Sequence, residues 1–267
     1  MAILEALETT NNLFPLRRAR TEELITRYPF AAQWLRLYRE LLPVQERAFQ
    51  ATRADAPAPH DVSTYVAQRV MAEVVDITIR AGPLMLARGA GELFIMEDLN
   101  RVVEHWLRGQ ELSPVLTYLA RASAGPVLEA MGPSAGLACA GPTDEGHCPR
   151  CGGSPQLAYF AVSGEALVTG PRYLVCSRCA HNWVYTRMVC AGCGETSTSR
   201  LPIYQEAERF PHVRVDGCES CHRYLLTIDL RKDGRAVPAV DELAAVPLDL
   251  YARDRGLTKI VANLMGN

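Results

Sequence analysis

Lysine is almost missing from this 267-residue chain: of 28 basic residues only Lys232 and Lys259 are lysine, and the other 26 are arginine. Cysteine is absent before Cys139, aromatic residues make up only 7%, and the formal net charge is only −2. Each shortage excludes something. Near-balanced charge argues against a protein that holds nucleic acid or a membrane surface by bulk electrostatics. No run approaches the roughly 20 apolar residues needed to span a bilayer, so no membrane insertion is expected. The opening from Met1 to Glu8 lacks a basic start followed by an apolar core, which leads to the expectation of no secretory leader and a cytoplasmic location. The charged fraction is 22% and the hydrophobic fraction 48%, which excludes a wholly disordered chain. The length exceeds one typical domain of roughly 100–200 residues, so two domains are expected. GC-rich coding accounts for the arginine bias most simply, and by itself the bias gives no single arginine a role.

What is present divides the chain. All nine cysteines fall between Cys139 and Cys221; in a reducing compartment that clustering points to metal binding or thiol chemistry before disulfides. Residues 13–131 read as helical. Thr21 and the two glutamates after it resemble a helix start, leading into Leu24, Ile25, Tyr28, Trp34, Leu37 and Leu41. Pro29 and Pro43 predict breaks or kinks. Residues 54–60 read as a connector, and a helix after Asp61 carries Val62, Val66, Val70 and Val74 on one face, extended by Ile77. Gly82 and Pro83 punctuate it. Leu99, Val102, Val103, Trp106 and Leu107 have the spacing of one buried helical face. Ser113-Pro114 opens a last helix, with a bend expected at Gly125-Pro126. His60 and His105 are isolated and read as ordinary surface or core groups. Trp34 and Trp106 read as core anchors, and a groove for a partner peptide would use the same two residues.

Residues 132–146 are rich in Gly, Pro and small side chains and mark a linker. Beyond it stand four C-x-x-C pairs: Cys148/Cys151, Cys176/Cys179, Cys190/Cys193 and Cys218/Cys221. Each half repeats the pattern C-x2-C-x24-C-x2-C, the arithmetic of a four-cysteine ribbon in which two knuckles each supply two thiolates. Tetrahedral sulfur suits zinc or a single iron. Pairing first with second and third with fourth follows from the repeat, with a cross-brace as the alternative. Gly152 and Gly194 stand where each first knuckle must turn. Short β-type runs at 159–162, 173–175, 183–186, 213–215 and 224–228 supply the walls, with turns expected at Ser163-Gly164 and Gly170-Pro171. Ribbons this small have little core, so metal is expected to supply most of their folding energy. Cys139 has no sequence partner and reads as an idle thiol, while His147, His181 and His222 read as neighbours of the knuckles and not as ligands.

At these residues the sequence resembles the FdhE family of formate dehydrogenase accessory proteins. The likeness lies in residues 148–155, 172–179 with Trp183, 187–193, 218–225 and the tail 240–256; Leu13, Phe14, Pro15, Arg20, Leu24, Pro29 and residues 35–45 carry it more loosely. The resemblance implies a cytoplasmic maturation factor without enzymatic activity. Its implied partner is the catalytic subunit of formate dehydrogenase, with its twin-arginine leader, bound before export. It also implies rubredoxin-type iron as the favoured metal at Cys148, Cys151, Cys176, Cys179, Cys190, Cys193, Cys218 and Cys221, giving two metal ions, with zinc as the alternative.

Two other classes compete. A rubredoxin-like electron-transfer or redox-sensing protein would use the same thiolates. A zinc-ribbon nucleic-acid binder would need a basic surface. Residues 147–232 hold an excess of about three positive charges, which eight thiolates and two divalent ions convert to a deficit of about one. The expected fold is α+β: a helical bundle (1–131), the linker (132–146), two tandem rubredoxin-like or zinc-ribbon modules (147–186 and 187–232), and a C-terminal helical segment (233–267) with its helix near 240–253.

Overall fold

The computed structural model describes residues 13–162 and 170–266. The segment Met1–Glu8 and the turn expected at Ser163-Gly164 lie outside the described residues.

The helical part opens with α1 (Phe14–Arg27) and α2 (Ala32–Asp55), separated by a 3-10 turn at Pro29–Ala31. Pro29 makes the expected break, but Pro43 lies inside α2 and the helix continues through it. The valine-stripe helix is divided. Val70, at φ −123°, separates α3 (Val62–Arg69) from α4 (Met71–Ala81), while Val62, Val66, Val70 and Val74 all remain buried. Next come α5 (Leu84–Met96), α6 (Leu99–Leu107) and α7 (Pro114–Met131). Two of them have side-chain caps: Asp98 accepts from the Arg101 amide and Ser113 from the Leu116 amide. Gly125 and Pro126 lie within α7 without ending it. Helix α5 has no counterpart in the sequence reading, because Leu84, Met85, Ile95 and Met96 are exposed and Ala90 alone is buried, so no stripe marks it.

After the short α8 (Ala135–Ala138) the chain enters one sheet. The first four-cysteine unit contributes β1 (Pro155–Phe160), β2 (Arg172–Cys176) and β3 (Asn182–Val184) as an antiparallel meander. The second contributes β4 (Ile203–Gln205), β5 (Val213–Cys218) and β6 (Arg223–Asp229) in the same manner. Strands β1 and β6 pair in parallel, Ala158 opposite Thr227 and Phe160 opposite Asp229, fusing the two meanders in the order β3-β2-β1-β6-β5-β4. Strand β7 (Thr258–Lys259) takes the remaining length of the same β6 edge. The C-terminal helix is two helices, α9 (Pro238–Ala244) and α10 (Val246–Asp254), because the chain leaves helical geometry at Ala245 before Val246 and Pro247 open the second.

One hydrophobic core runs through helices and sheet. Leu157, Tyr159, Val213, Val215, Leu226 and Ile228 from the strands share it with Leu24, Leu41, Leu128, Val240 and Leu243. Ala158, Leu174 and Leu225 form a smaller cluster elsewhere. The ribbons therefore do not stand alone. Six buried side chains at about 1.5–3 kcal/mol each are comparable with the roughly 10–16 kcal/mol that a structural zinc site supplies, so packing shares the work expected of the metal.

Buried charge ties α9 and α10 to their neighbours. Arg20 of α1 bonds Asp241 of α9 at 2.6 Å and Asp233 at 2.8 Å, and His212 Nε2 lies 2.8 Å from Asp241 Oδ1. Lys259 reaches Glu242 at 2.8 Å and Asp249 at 3.0 Å, and Gln156 donates to Glu242 at 2.7 Å.

Candidate metal centres

Each four-cysteine group is built by two turns that repeat nearly atom for atom. In the first unit the Gly152 amide donates to the Cys148 carbonyl at 2.9 Å, and the Cys148 amide donates to Gly153 at 2.9 Å. In the second, Gly194 donates to Cys190 and Cys190 to Glu195, both again at 2.9 Å. The residue directly after the second cysteine of every knuckle is left-handed: Gly152 at φ 66°, Ala180 at 55°, Gly194 at 76° and His222 at 53°. Glycine adopts that conformation without strain, whereas an L side chain there costs roughly 1–2 kcal/mol. Ala180 and His222 hold the glycine-type position without being glycine, so only aligning all four knuckles would have found them.

The turns gather Cys148, Cys151, Cys176 and Cys179 into one group and Cys190, Cys193, Cys218 and Cys221 into another, with the sulfurs of each group within 4.8 Å of one another. The pairing is first knuckle with second and third with fourth; the cross-brace does not form. The Sγ–Sγ distances are 3.7 Å for Cys148–Cys179 and 3.3 Å for Cys151–Cys176. In the second group they are 3.8 Å for Cys190–Cys221 and 3.7 Å for Cys193–Cys218. A tetrahedral ion with metal–sulfur bonds of about 2.3 Å requires sulfur–sulfur edges of about 3.8 Å. Both groups could hold a metal ion with little rearrangement, and the all-sulfur donor set suits zinc or iron. Backbone amides already point at the sulfurs, Arg178 N at 3.3 Å from Cys176 and Gly192 N at 3.3 Å from Cys190.

The thiols of each group crowd and perturb one another. Hydrogen bonds from Cys139, Cys148, Cys176 and Cys179 hold the Cys151 thiol far below its ordinary range. Cys148 first, then Cys151 and Cys176, push Cys179 far above it. In the second group burial raises Cys221 to about 11. A divalent ion relieves this competition by balancing four thiolates at once.

The two groups differ in surroundings. All four first-group cysteines are buried, whereas Cys193 of the second is exposed and Cys221 half-buried. The segment read as a linker covers the first group. A Cβ on Gly141 would lie 2.5 Å from the Gly152 carbonyl oxygen, and one on Gly136 would lie 2.1 Å from that of Arg150. Arg178 Nη1 donates to Ala140 at 2.8 Å, and the Ala140 amide donates to Leu107 of α6 at 3.1 Å. Cys139 packs half-buried against the core, and the neighbouring Cys151 thiol, together with burial, holds its pKa above the ordinary thiol value. His147 bonds Asp144 at 2.7 Å, and the His181 carbonyl accepts from the Cys176 amide at 2.9 Å. His222 stands in a left-handed turn, and neither cysteine group contains a histidine. His60 lies beside Asp61 and His105 beside Arg101, far from either group in sequence and without a clustered partner.

Comparison with known proteins places this arrangement. The family model "FdhE, C-terminal domain" matches residues 188–265. A "Protein FdhE homolog" of Aquifex aeolicus is 36% identical over 120 residues, covering 45% of this chain and 41% of that protein. A "Protein FdhE homolog" of Stutzerimonas stutzeri is 36% identical over 125 residues, covering 46% of this chain and 39% of that protein. The chain thus spans less than half the length of these relatives. The homologue from Pseudomonas aeruginosa is 28% identical over 226 residues, 80% of this chain and 64% of that protein. The crystal structure of the FdhE protein from Pseudomonas aeruginosa aligns with a TM-score of 0.66 at 22% identity, covering 96% of this chain and 95% of that one, and so shares its fold. Residues 188–265 thus match the FdhE C-terminal domain, and the chain resembles FdhE homologues over part of their length and shares the fold of one of them.

Proposed function

We propose that the chain is a cytoplasmic accessory protein for the maturation of formate dehydrogenase, acting by binding and not by catalysis. It would engage the catalytic subunit, with its twin-arginine leader, before export. The eight cysteines Cys148, Cys151, Cys176, Cys179, Cys190, Cys193, Cys218 and Cys221 would ligate two ions, with rubredoxin-type iron favoured over zinc. The observation that carries the reading is the pair of preformed four-sulfur cages, the second of them within the stretch that matches the FdhE C-terminal domain.

An open groove of about 890 Å³ supports the binding role. Trp34, Met85, Trp106 and Tyr118 of the helical part face Arg178 and Met265 across it. Its walls are mostly apolar with one cationic edge, the chemistry that accepts an extended or helical segment of a partner. Among the described residues no helix is long and apolar enough to cross a membrane. Co-expression of tagged protein with the formate dehydrogenase catalytic subunit tests the proposal. The two should co-purify, and Met85→Asp, at a position 77% exposed, should abolish co-purification while metal content is unchanged. Wild-type formate dehydrogenase activity in a strain lacking the gene would refute the role. Exposure of Cys193 favours a second reading, redox sensing at the second site as a regulatory addition.

A further inference from the structure

Beside the second cysteine group lies a cavity of about 220 Å³, with Arg172, Arg187, Arg214, Arg223 and Arg231 in its walls and Phe160 at one side. We propose that this cavity binds a small phosphate-bearing anion, of the size of inorganic phosphate or a diphosphate, through the guanidinium groups around Phe160. The proposal is independent of the maturation role.

The charge balance points there first. Five guanidiniums meet two nearby carboxylates, Asp216, which pairs with Arg172 and Arg214, and Asp229, which pairs with Arg231. Arg187 has neither: among the described residues its hydrogen-bond partner is the Gly170 carbonyl. Five guanidiniums against two carboxylates leave an excess of about three positive charges around one space, which the adjacent centre of four thiolates and a divalent ion, whose Cys190 lines the cavity, lowers to about one.

The geometry is focused. The guanidinium carbons of Arg187, Arg214 and Arg231 lie 4.6, 4.8 and 5.0 Å from the centroid of the single Phe160 ring. A neutral ring face contributes only modest attraction per cation, so it does not offset the repulsion among three. Arg172 is 4% exposed, and its Nε is buried without an acceptor. Burial, and then the charges of Arg231 and Arg214, hold Arg187 below its ordinary pKa. All of these strains are relieved by one multivalent anion.

Phosphate fits better than a lone carboxylate. Each guanidinium fork addresses two oxygens, so the three forks around Phe160 match the several oxygens of a phosphate or a diphosphate, whereas a lone carboxylate offers only two.

Isothermal titration of the metal-loaded full chain with inorganic phosphate and with pyrophosphate, at low ionic strength, tests this. Saturable binding near one per chain is expected. Arg187→Gln should weaken it by about tenfold or more, since a charge-assisted hydrogen bond is lost, and Arg187→Lys should restore part. Arg223→Gln, at an exposed position on the cavity wall, provides a second variant if Arg187→Gln fails to fold. Arg36→Gln, exposed on α2, should change nothing. Three results would each overturn the site: no saturable heat with either anion, equal weakening by Arg36→Gln, or citrate binding as tightly as pyrophosphate. Vesicles containing phosphatidic acid should fail to sediment the protein; sedimentation that Arg187→Gln abolishes would replace the soluble ligand with a lipid headgroup.

Discussion

Gly152 and Gly194 hold the same turn in the two metal units, yet they should respond very differently to a methyl group. Both have positive φ, 66° and 76°. At Gly194 an added Cβ meets nothing within 4 Å, so Gly194→Ala pays only for the left-handed conformation. That cost is roughly 1–2 kcal/mol, partly offset by roughly 0.4–1 kcal/mol from a less flexible unfolded chain. The net loss should be about 1 kcal/mol or less. At Gly152 the same Cβ would lie 2.6 Å from both the carbonyl carbon and the Cα of Gly141. Backbone cannot rotate away as a side chain can, and overpacking of this kind costs about 1–3 kcal/mol more. Gly152→Ala should therefore lose about 2–4 kcal/mol and loosen residues 132–146 from the first metal unit. Urea denaturation of the metal-loaded variants reads the difference, with the rate of metal transfer to a chromophoric chelator as a second measure. Equal, mild effects of the two substitutions would refute the close packing of this segment on the first knuckle.

Three further outcomes follow from buried charge and from the asymmetry of the sites. Lys259→Met should cost about 3–5 kcal/mol, because it leaves Glu242 and Asp249 buried without their cation; adding Glu242→Gln should recover part, measured by urea midpoints. Asp233 titrates below the ordinary carboxylate range: burial pushes it up, but hydrogen bonds from the Arg235 amide and Arg20 outweigh this. A lowered carboxyl contributes stability above its unfolded pKa of about 4 and loses it as pH falls through the folded value, so Asp233→Asn should be least damaging, relative to wild type, at the acid end of a pH series. Glu242, raised by burial, works in the opposite direction and favours folding below its folded pKa. Iodoacetamide under mild chelation should label Cys193 before any first-group cysteine, and metal should leave in two phases, because Cys193 alone among the eight is exposed; a single phase with simultaneous labelling would contradict the asymmetry.

The sequence reveals much of the candidate site because cysteine spacing is a local signal. The repeat of 24 residues between knuckles locates both four-sulfur groups and their grouping. Helix α6 and the start of α7 are equally legible, from the stripe Val102, Val103, Trp106 and Leu107 and from Ser113-Pro114. The fusion of the ribbons is not. Strands β1 and β6 pair across some 70 residues of chain, and only tertiary packing brings Ala158 beside Thr227. Val70 divides the valine stripe without disturbing its period, so the pattern shows the buried face but not the break. Pro43 and Pro126 illustrate the reverse: packing of α2 against α7 outweighs their local cost, and the helices continue. Cys139 and the glycines of residues 132–146 read as a spacer because their partners, Cys151 and Gly152, become visible only in three dimensions. The five cavity arginines likewise disappear into a general compositional bias until the sheet gathers them.

The central claim is that each four-cysteine group is a separate metal site. Elemental analysis and native mass spectrometry of anaerobically purified protein, with X-ray absorption of the same sample, test it most directly. The account predicts two ions per chain in an all-sulfur shell at about 2.3 Å, with Cys193→Ser losing one ion and Cys151→Ser the other. A wild-type protein that folds fully with no stoichiometric metal, or in which one substitution empties both groups, would contradict it.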